Sequence, residues 1–208
     1  SDLLRVKNTT ARVIHFTFVL SAFVVGVFIN YADELGVIIY HSDEVGRMLK
    51  IVTVIAPFIY IEMVSDGILK GLGEQMSCLK YSMVDSIFRI SMIYFIIPYK
   101  GLTAFIGIMI VSNIITSLLN FNKLIQVTNI KIEVSKWILK PFIAALATTL
   151  LSKTMYRYLF FSGGYQTQGV IFSIAIAMML YATFLVLIES ISTEDIKWFR
   201  NSVRIIMS

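Results

Sequence analysis

The sequence predicts an all-α polytopic membrane protein, a transmembrane helical bundle with about six spans. Three observations predict it. Of 208 residues, 57% are hydrophobic and 15% charged, whereas an average soluble domain carries roughly 45–50% apolar and about 25% charged residues. The mean hydropathy is +0.80, too high for a chain that must coat its surface with polar groups. Residues 13–32, 101–122 and 158–188 contain no Asp, Glu, Lys or Arg, and a crossing helix needs about 20 mostly apolar residues. A soluble globular enzyme and a disordered chain are thereby excluded. Strict alternation over ~10-residue segments, the mark of a membrane β-barrel, is absent.

The spans are expected at about 13–31, 50–68 (with Pro57 near its middle), 77–97, 102–120, 137–154 and 168–188. Helices are the default because backbone groups in lipid must bond internally. Outside the spans or near their ends, Arg5, Lys7, Arg12, Lys70, Lys80, Lys123, Lys131, Lys136, Lys140, Lys197, Arg200 and Arg204 fall on one side. Arg47, Lys50, Lys100, Lys153 and Arg157 fall on the other. The excess of cations marks the cytoplasmic side, so both termini are expected there. The net charge of +5 is then a loop property, not a sign of nucleic-acid binding.

Between the spans, residues 31–49 read as a longer outer loop carrying Asp33, Glu34, Asp43 and Glu44. Gly71 and Gly73 frame a tight inner turn, where glycine supplies backbone freedom. Pro98 and Gly101 mark a short outer hairpin. Beyond residue 190, Ser192–Asp195 reads as a capping box. Ile196, Phe199, Val203 and Ile206 then share one helical face, which predicts an amphipathic tail over 191–208 lying on the inner leaflet. A single cysteine, Cys78, forms no internal disulfide, and no Cys/His cluster resembles a metal site. The opening SDLLRVKN has neither an initiator Met nor the regions of a signal peptide, so a piece of a longer protein is expected.

Ionisable groups inside spans cost about 2.5–3.5 kcal/mol each on insertion scales, and they usually face protein or water. The second and third spans hold nearly all of them: Glu62, Asp66, Lys80, Asp85 and Arg89. Glu62 and Asp66 are four apart on one face, with Lys70 continuing the row, and Asp85 and Arg89 are likewise spaced. Folding back near Gly73 places Glu62 level with Asp85, and Asp66 level with Lys80. Two readings stand side by side. Asp85–Arg89 and Asp66–Lys80 are ion pairs that lock adjacent helices, or the set lines a cavity for a cation, a proton or an anionic headgroup. Glu62, with no opposite charge in its own turn, is the leading titrating group. His15 reads as an interfacial hydrogen-bonding residue, and Asn30, Asn113 and Asn120 as interhelical bonds or helix ends. No nucleotide-binding, zinc-protease or hydrolase motif occurs, and no catalytic group, metal or cofactor is expected.

The stretch Ile68-Leu69-Lys70-Gly71-Leu72-Gly73-Glu74-Gln75 resembles the inner loop of polysaccharide-transport proteins. Asp85-Ser-Ile-Phe-Arg-Ile, then Ile96-Ile97-Pro98-Tyr99-Lys100-Gly101-Leu102, is similar to their run into the next span. In order and spacing these motifs resemble the C-terminal part of the stage V sporulation protein B and oligosaccharide flippase family, over about residues 5–190. That resemblance implies a MATE-like flippase fold of fourteen spans, of which this chain holds the last six. It implies alternating access, with a lipid-linked saccharide or peptidoglycan precursor as substrate. The remaining partners would be membrane lipids and the missing N-terminal lobe. It also implies a bacterial plasma membrane, and it places spans two to four in the second lobe. The proposed pyrophosphate-holding cations of that family lie largely outside this chain, so none is carried over. On these grounds Glu62, Asp85 and Arg89 line or brace the second lobe. A cation-coupled multidrug exporter and a non-transporting scaffold subunit are the alternatives.

Overall fold

A computed structural model describes residues 2–159 and 166–188, with Ser190, Lys197, Trp198 and Arg200. Among them the chain is all-helical. The helices are α1 (Asp2–Tyr40), α2 (Asp43–Thr53), α3 (Ala56–Gly71), α4 (Gln75–Thr128), a π-helical turn (Ser135–Leu139), α5 (Lys140–Leu159) and α6 (Gln166–Leu187). Four stretches are long and apolar enough to cross a membrane: Leu4–Tyr40, Thr103–Thr128, Ser135–Tyr158 and Thr167–Leu187. A fifth is added if α2 and α3 act together across their break at Val54 and Ile55. The first part of α4, which carries Lys80, Asp85 and Arg89, does not qualify by length and composition. The tail over 191–208 with its capping box lies outside the described residues, apart from Lys197, Trp198 and Arg200.

Two expectations are corrected. Residues 31–49 are not a loop: α1 runs on to Tyr40, and α2 starts at Asp43 after His41 turns the chain at φ 53°. The acids read as loop residues instead serve helices. Asp43 and Glu44 occupy the first turn of α2 and Lys50 its last, which complements the helix dipole. Pro57, expected near the middle of one helical span, instead follows a break between α2 and α3, which are bent by 53° to one another. It stands in the first turn of α3, where its missing N–H costs nothing.

The two expected hairpin turns are present, each with a local cause. At the end of α3, Gly73 takes φ 84°, the Gly73 N–H donates to Lys70 O (3.2 Å) and the Glu74 N–H to Leu69 O (3.0 Å). This is a Schellman closure, which wants glycine at its left-handed position. Gly71 is an ordinary last helical residue. In α4, Pro98 withholds an N–H and Gly101 adopts φ 59°, ψ −141°, a conformation open essentially to glycine alone. α4 is therefore two arms, 75–100 and 102–128, and Asn129 ends the second in a left-handed cap.

The chain divides into two compact units. Residues Ser1–Ser21 and Ile51–Ile132 form the first, in which α3 packs on α4 and Phe18 meets Phe121 edge-on at 6.1 Å. Residues Ala22–Lys50 and Glu133–Ser208 form the second, in which α5 packs on α6. There the rest of α1 runs parallel to α5 along a seam with constant offset. Gly26 faces Ala145, Asn30 Nδ2 donates to Thr149 Oγ1 (2.9 Å), and Lys153 pairs with Glu34 (3.1 Å). α6 returns antiparallel, held where Ser152 Oγ donates to Ser173 O (2.5 Å) and Lys140 Nζ to Ile188 O (3.0 Å). Just before α5, the π-helical turn precedes buried Pro141. Its wider winding suits a site where proline leaves a carbonyl without its usual N–H.

The distribution of side chains is that of helices in lipid. Thr17, Ser21, Ser65, Ser112, Thr116, Thr148, Thr149 and Ser152 are buried, while Met63, Ile87, Ile90, Phe95, Ile171 and Met179 are well exposed. Small and polar residues inside with large apolar ones outside favour close helix contact where water provides no driving force. Several buried hydroxyls donate to carbonyls one turn back, Thr17 to Val13 O (2.8 Å) and Thr148 to Ala144 O (2.8 Å) among them.

Candidate functional site

The predicted charges converge in the first unit. Asp85 and Arg89, one turn apart on the first arm of α4, form an ion pair at 2.8 Å. The turn at Gly101 brings Ser112 of the second arm against both. Arg89 donates to Ser112 Oγ through Nε (3.2 Å) and Nη2 (2.9 Å), and Ser112 Oγ donates to the Asp85 carboxylate. Ser112 is fully buried. The result is a closed set: one carboxylate, one guanidinium and one hydroxyl, with the charges cancelled and the hydroxyl used as both donor and acceptor. Half-buried Glu62 of α3 stands near enough to feel the charges of Asp85 and Arg89. Among the described residues it makes no ion pair. Glu62 thus lies within electrostatic reach of both Asp85, expected level with it across the Gly73 turn, and Arg89, one turn further along α4.

The expected Asp66–Lys80 pair does not form. Asp66 bonds Lys70 at 2.6 Å, one turn away on its own helix, and buried Cys78 of α4 also reaches Asp66. Lys80 is exposed. Equal depth across a turn is insufficient here, because a partner four residues along the same face is met without any requirement on helix rotation.

At the base of the hairpin, Glu74 accepts from Ser77 Oγ (2.7 Å) and pairs with Lys123 Nζ of the second arm at 3.1 Å. Those bonds, Ser77 first and Lys123 next, hold the Glu74 carboxyl below the ordinary glutamate value of 4.5. A depressed folded-state pKa means that the unfolded chain takes up the proton more readily. The contribution is therefore complete above about pH 4.5 and fades as pH falls through the lower folded value. Melting followed from pH 6 to pH 3 should show wild type losing stability faster than Glu74→Gln, with the two converging at the acid end. Parallel curves would contradict this.

The asparagines divide. Asn30 makes the interhelical bond expected of it, and Asn113 donates to Met109 O of its own helix (2.8 Å). Asn120 is buried, and its Oδ1 meets no donor among the described residues. His15 is buried in α1. Ser112 and Lys153 were not anticipated as functional contacts. No group of three metal-ligating side chains occurs among the described residues.

A second polar feature lies in the second unit, where a cavity of about 380 Å³ is lined by Asp33, Glu34, Val37, Ile38, Lys153, Tyr156 and Arg157. Comparison with protein-family models, curated proteins and solved structures finds no match. What stands is an all-helical chain with several helices suited to a membrane and a charged cluster where α3 packs on α4.

Proposed function

We propose that this chain is part of a membrane transporter that moves a lipid-linked saccharide or peptidoglycan precursor by alternating access. On this reading it has the MATE-like flippase fold, with six crossings and both ends on the cytoplasmic side of a bacterial plasma membrane. The gathering of Glu62, Asp85 and Arg89 where α3 packs on α4 carries the proposal. Such charges are costly in lipid and are retained where a polar solute or ion must pass. Arg89 presents a guanidinium suited to a pyrophosphate, and Glu62 supplies an unpaired acid beside it. A polar headgroup crosses past these residues while its lipid tail stays in the bilayer, so binding and rocking suffice and no covalent chemistry is needed. Parallel α1 and α5 in the second unit support the even alternation that six crossings imply.

The closed Asp85–Arg89–Ser112 set favours one competitor, a static scaffold subunit in which these bonds are only a clasp. Flipping of a fluorescent lipid-linked saccharide in proteoliposomes separates the two, measured on the protein that carries this chain. Glu62→Gln and Arg89→Lys should each slow flipping about tenfold or more, the kinetic equivalent of about 1.4 kcal/mol. The exposed Lys80→Ala should leave it unchanged. Wild-type flipping in both cluster variants would remove the site, and no flipping by the wild type would leave the scaffold.

A further inference from the structure

The cavity in the second unit sits where the charge-free stretch 13–32 of α1 gives way to Asp33 and Glu34. α1 contributes Asp33, Glu34, Val37 and Ile38 to its lining, and α5 contributes Lys153, Tyr156 and Arg157. At about 380 Å³ it falls within the ordinary range for small-ligand sites, roughly 300–1,000 Å³.

The commitments of its charged groups decide what it can bind. Asp33 is held by Lys50 at 2.5 Å. Glu34 is held by Lys153 at 3.1 Å. Lys153 also donates to the Asn30 carbonyl and lies 5.8 Å over the Tyr31 ring, so its donors are occupied. Arg157, one turn further along the same face of α5, is exposed and makes no ion pair or hydrogen bond among the described residues. Both acids are thus paired within the protein, and the lining keeps one uncommitted guanidinium on α5 together with the aliphatic Val37 and Ile38 of α1.

We propose that this cavity binds an anionic phospholipid, with Arg157 taking the phosphodiester and Val37 and Ile38 receiving the first part of an acyl chain. A guanidinium forks onto phosphate oxygens with paired hydrogen bonds. The apolar wall supplies what a free phosphate could not use. A phosphocholine lipid is disfavoured because its own ammonium would compete with Arg157, the one uncommitted cation of the lining, for the phosphodiester. The site is independent of the Glu62 cluster and of the transport reading.

The test is native mass spectrometry of the full chain released from detergent containing equal phosphatidylglycerol and phosphatidylcholine. Wild type should retain phosphatidylglycerol severalfold over phosphatidylcholine, and Arg157→Ala should lower that retention about tenfold, the value of one charge-assisted bond. Arg157→Lys should restore part of it. The melting temperature of Arg157→Ala without lipid should match wild type, since Arg157 makes no ion pair or hydrogen bond among the described residues. Equal retention of the two lipids by wild type, unchanged retention in Arg157→Ala, or displacement of phosphatidylglycerol by an equal concentration of inorganic phosphate would each overturn the proposal.

Discussion

Replacing Arg89 with alanine is expected to destabilise the protein by about 2–4 kcal/mol, the largest loss from any single polar truncation here. The variant strands the Asp85 carboxylate, whose side chain is only 14% exposed, against a fully buried serine. The expected loss is set below that of a completely buried pair because the Arg89 side chain is itself 36% exposed. Lysine at this position should recover part of the loss, since an ammonium cannot present the fork that reaches both acceptors. The double variant Asp85→Asn, Arg89→Gln should be less damaged than Arg89→Ala, because no net charge is left behind. Denaturant or thermal unfolding in detergent measures all three, and adding the single variants Asp85→Asn and Arg89→Gln closes a cycle from which a coupling of about 1–3 kcal/mol between positions 85 and 89 is expected. Strict additivity would mean that the pair is not energetically linked.

Gly36→Ala is the second large effect. A Cβ at Gly36 would lie 2.5 Å from Gly46 N and 2.7 Å from Gly46 Cα, and one at Gly46 would lie 2.9 Å from Asp33 Cα. Both obstacles are backbone, so no side chain can rotate aside and the end of α1 must part from α2. A loss of about 2–3 kcal/mol follows for overpacking of this kind, and the Lys50–Asp33 pair (2.5 Å) should weaken with it. Gly67→Ala is the matched control. Its Cβ meets nothing within 4 Å in the interior of α3, and the better helix former should stabilise by up to about 1 kcal/mol. Equal melting temperatures for the two variants would show that α1 and α2 do not cross so closely.

Those two sites differ in how far the sequence foretold them. Asp85 and Arg89 were readable from spacing alone, because groups four apart on a helix meet whatever surrounds them. Gly73 and Gly101 were readable because each acts through its own backbone, one at positive φ after a helix and the other beside Pro98. Ser112 was not readable as a partner: a serine in an apolar run looks like any small packing residue. It lies as far past the turn at residues 100 and 101 as Arg89 lies before it, so counting outward from that turn would have pointed to it. Counting alone misled for Asp66 and Lys80, where helix rotation, invisible in the chain, put Lys70 nearer. The helical character of residues 31–49 was hidden for a related reason. Asp33 and Glu34 look like loop acids until their lysines are known, and one of these, Lys153, is remote in sequence.

The seam between α1 and α5 carries a consequence of parity. Two membrane-crossing helices that point the same way require the chain between them to cross an odd number of times. α1 and α5, both long and apolar enough to cross, point the same way in the second unit, with Asn30 opposite Thr149 and Glu34 opposite Lys153. Between them lie α3 and the two arms of α4. The second arm alone makes an odd count, and all three together make an odd count, but α3 with the second arm does not. The first arm, with Asp85 and Arg89, is therefore tied to the fate of α3 and Glu62. They enter the membrane as a crossing pair, or they form a hairpin that returns to the side it came from. In neither case can the Glu62–Asp85–Arg89 cluster be divided between the two faces of the bilayer.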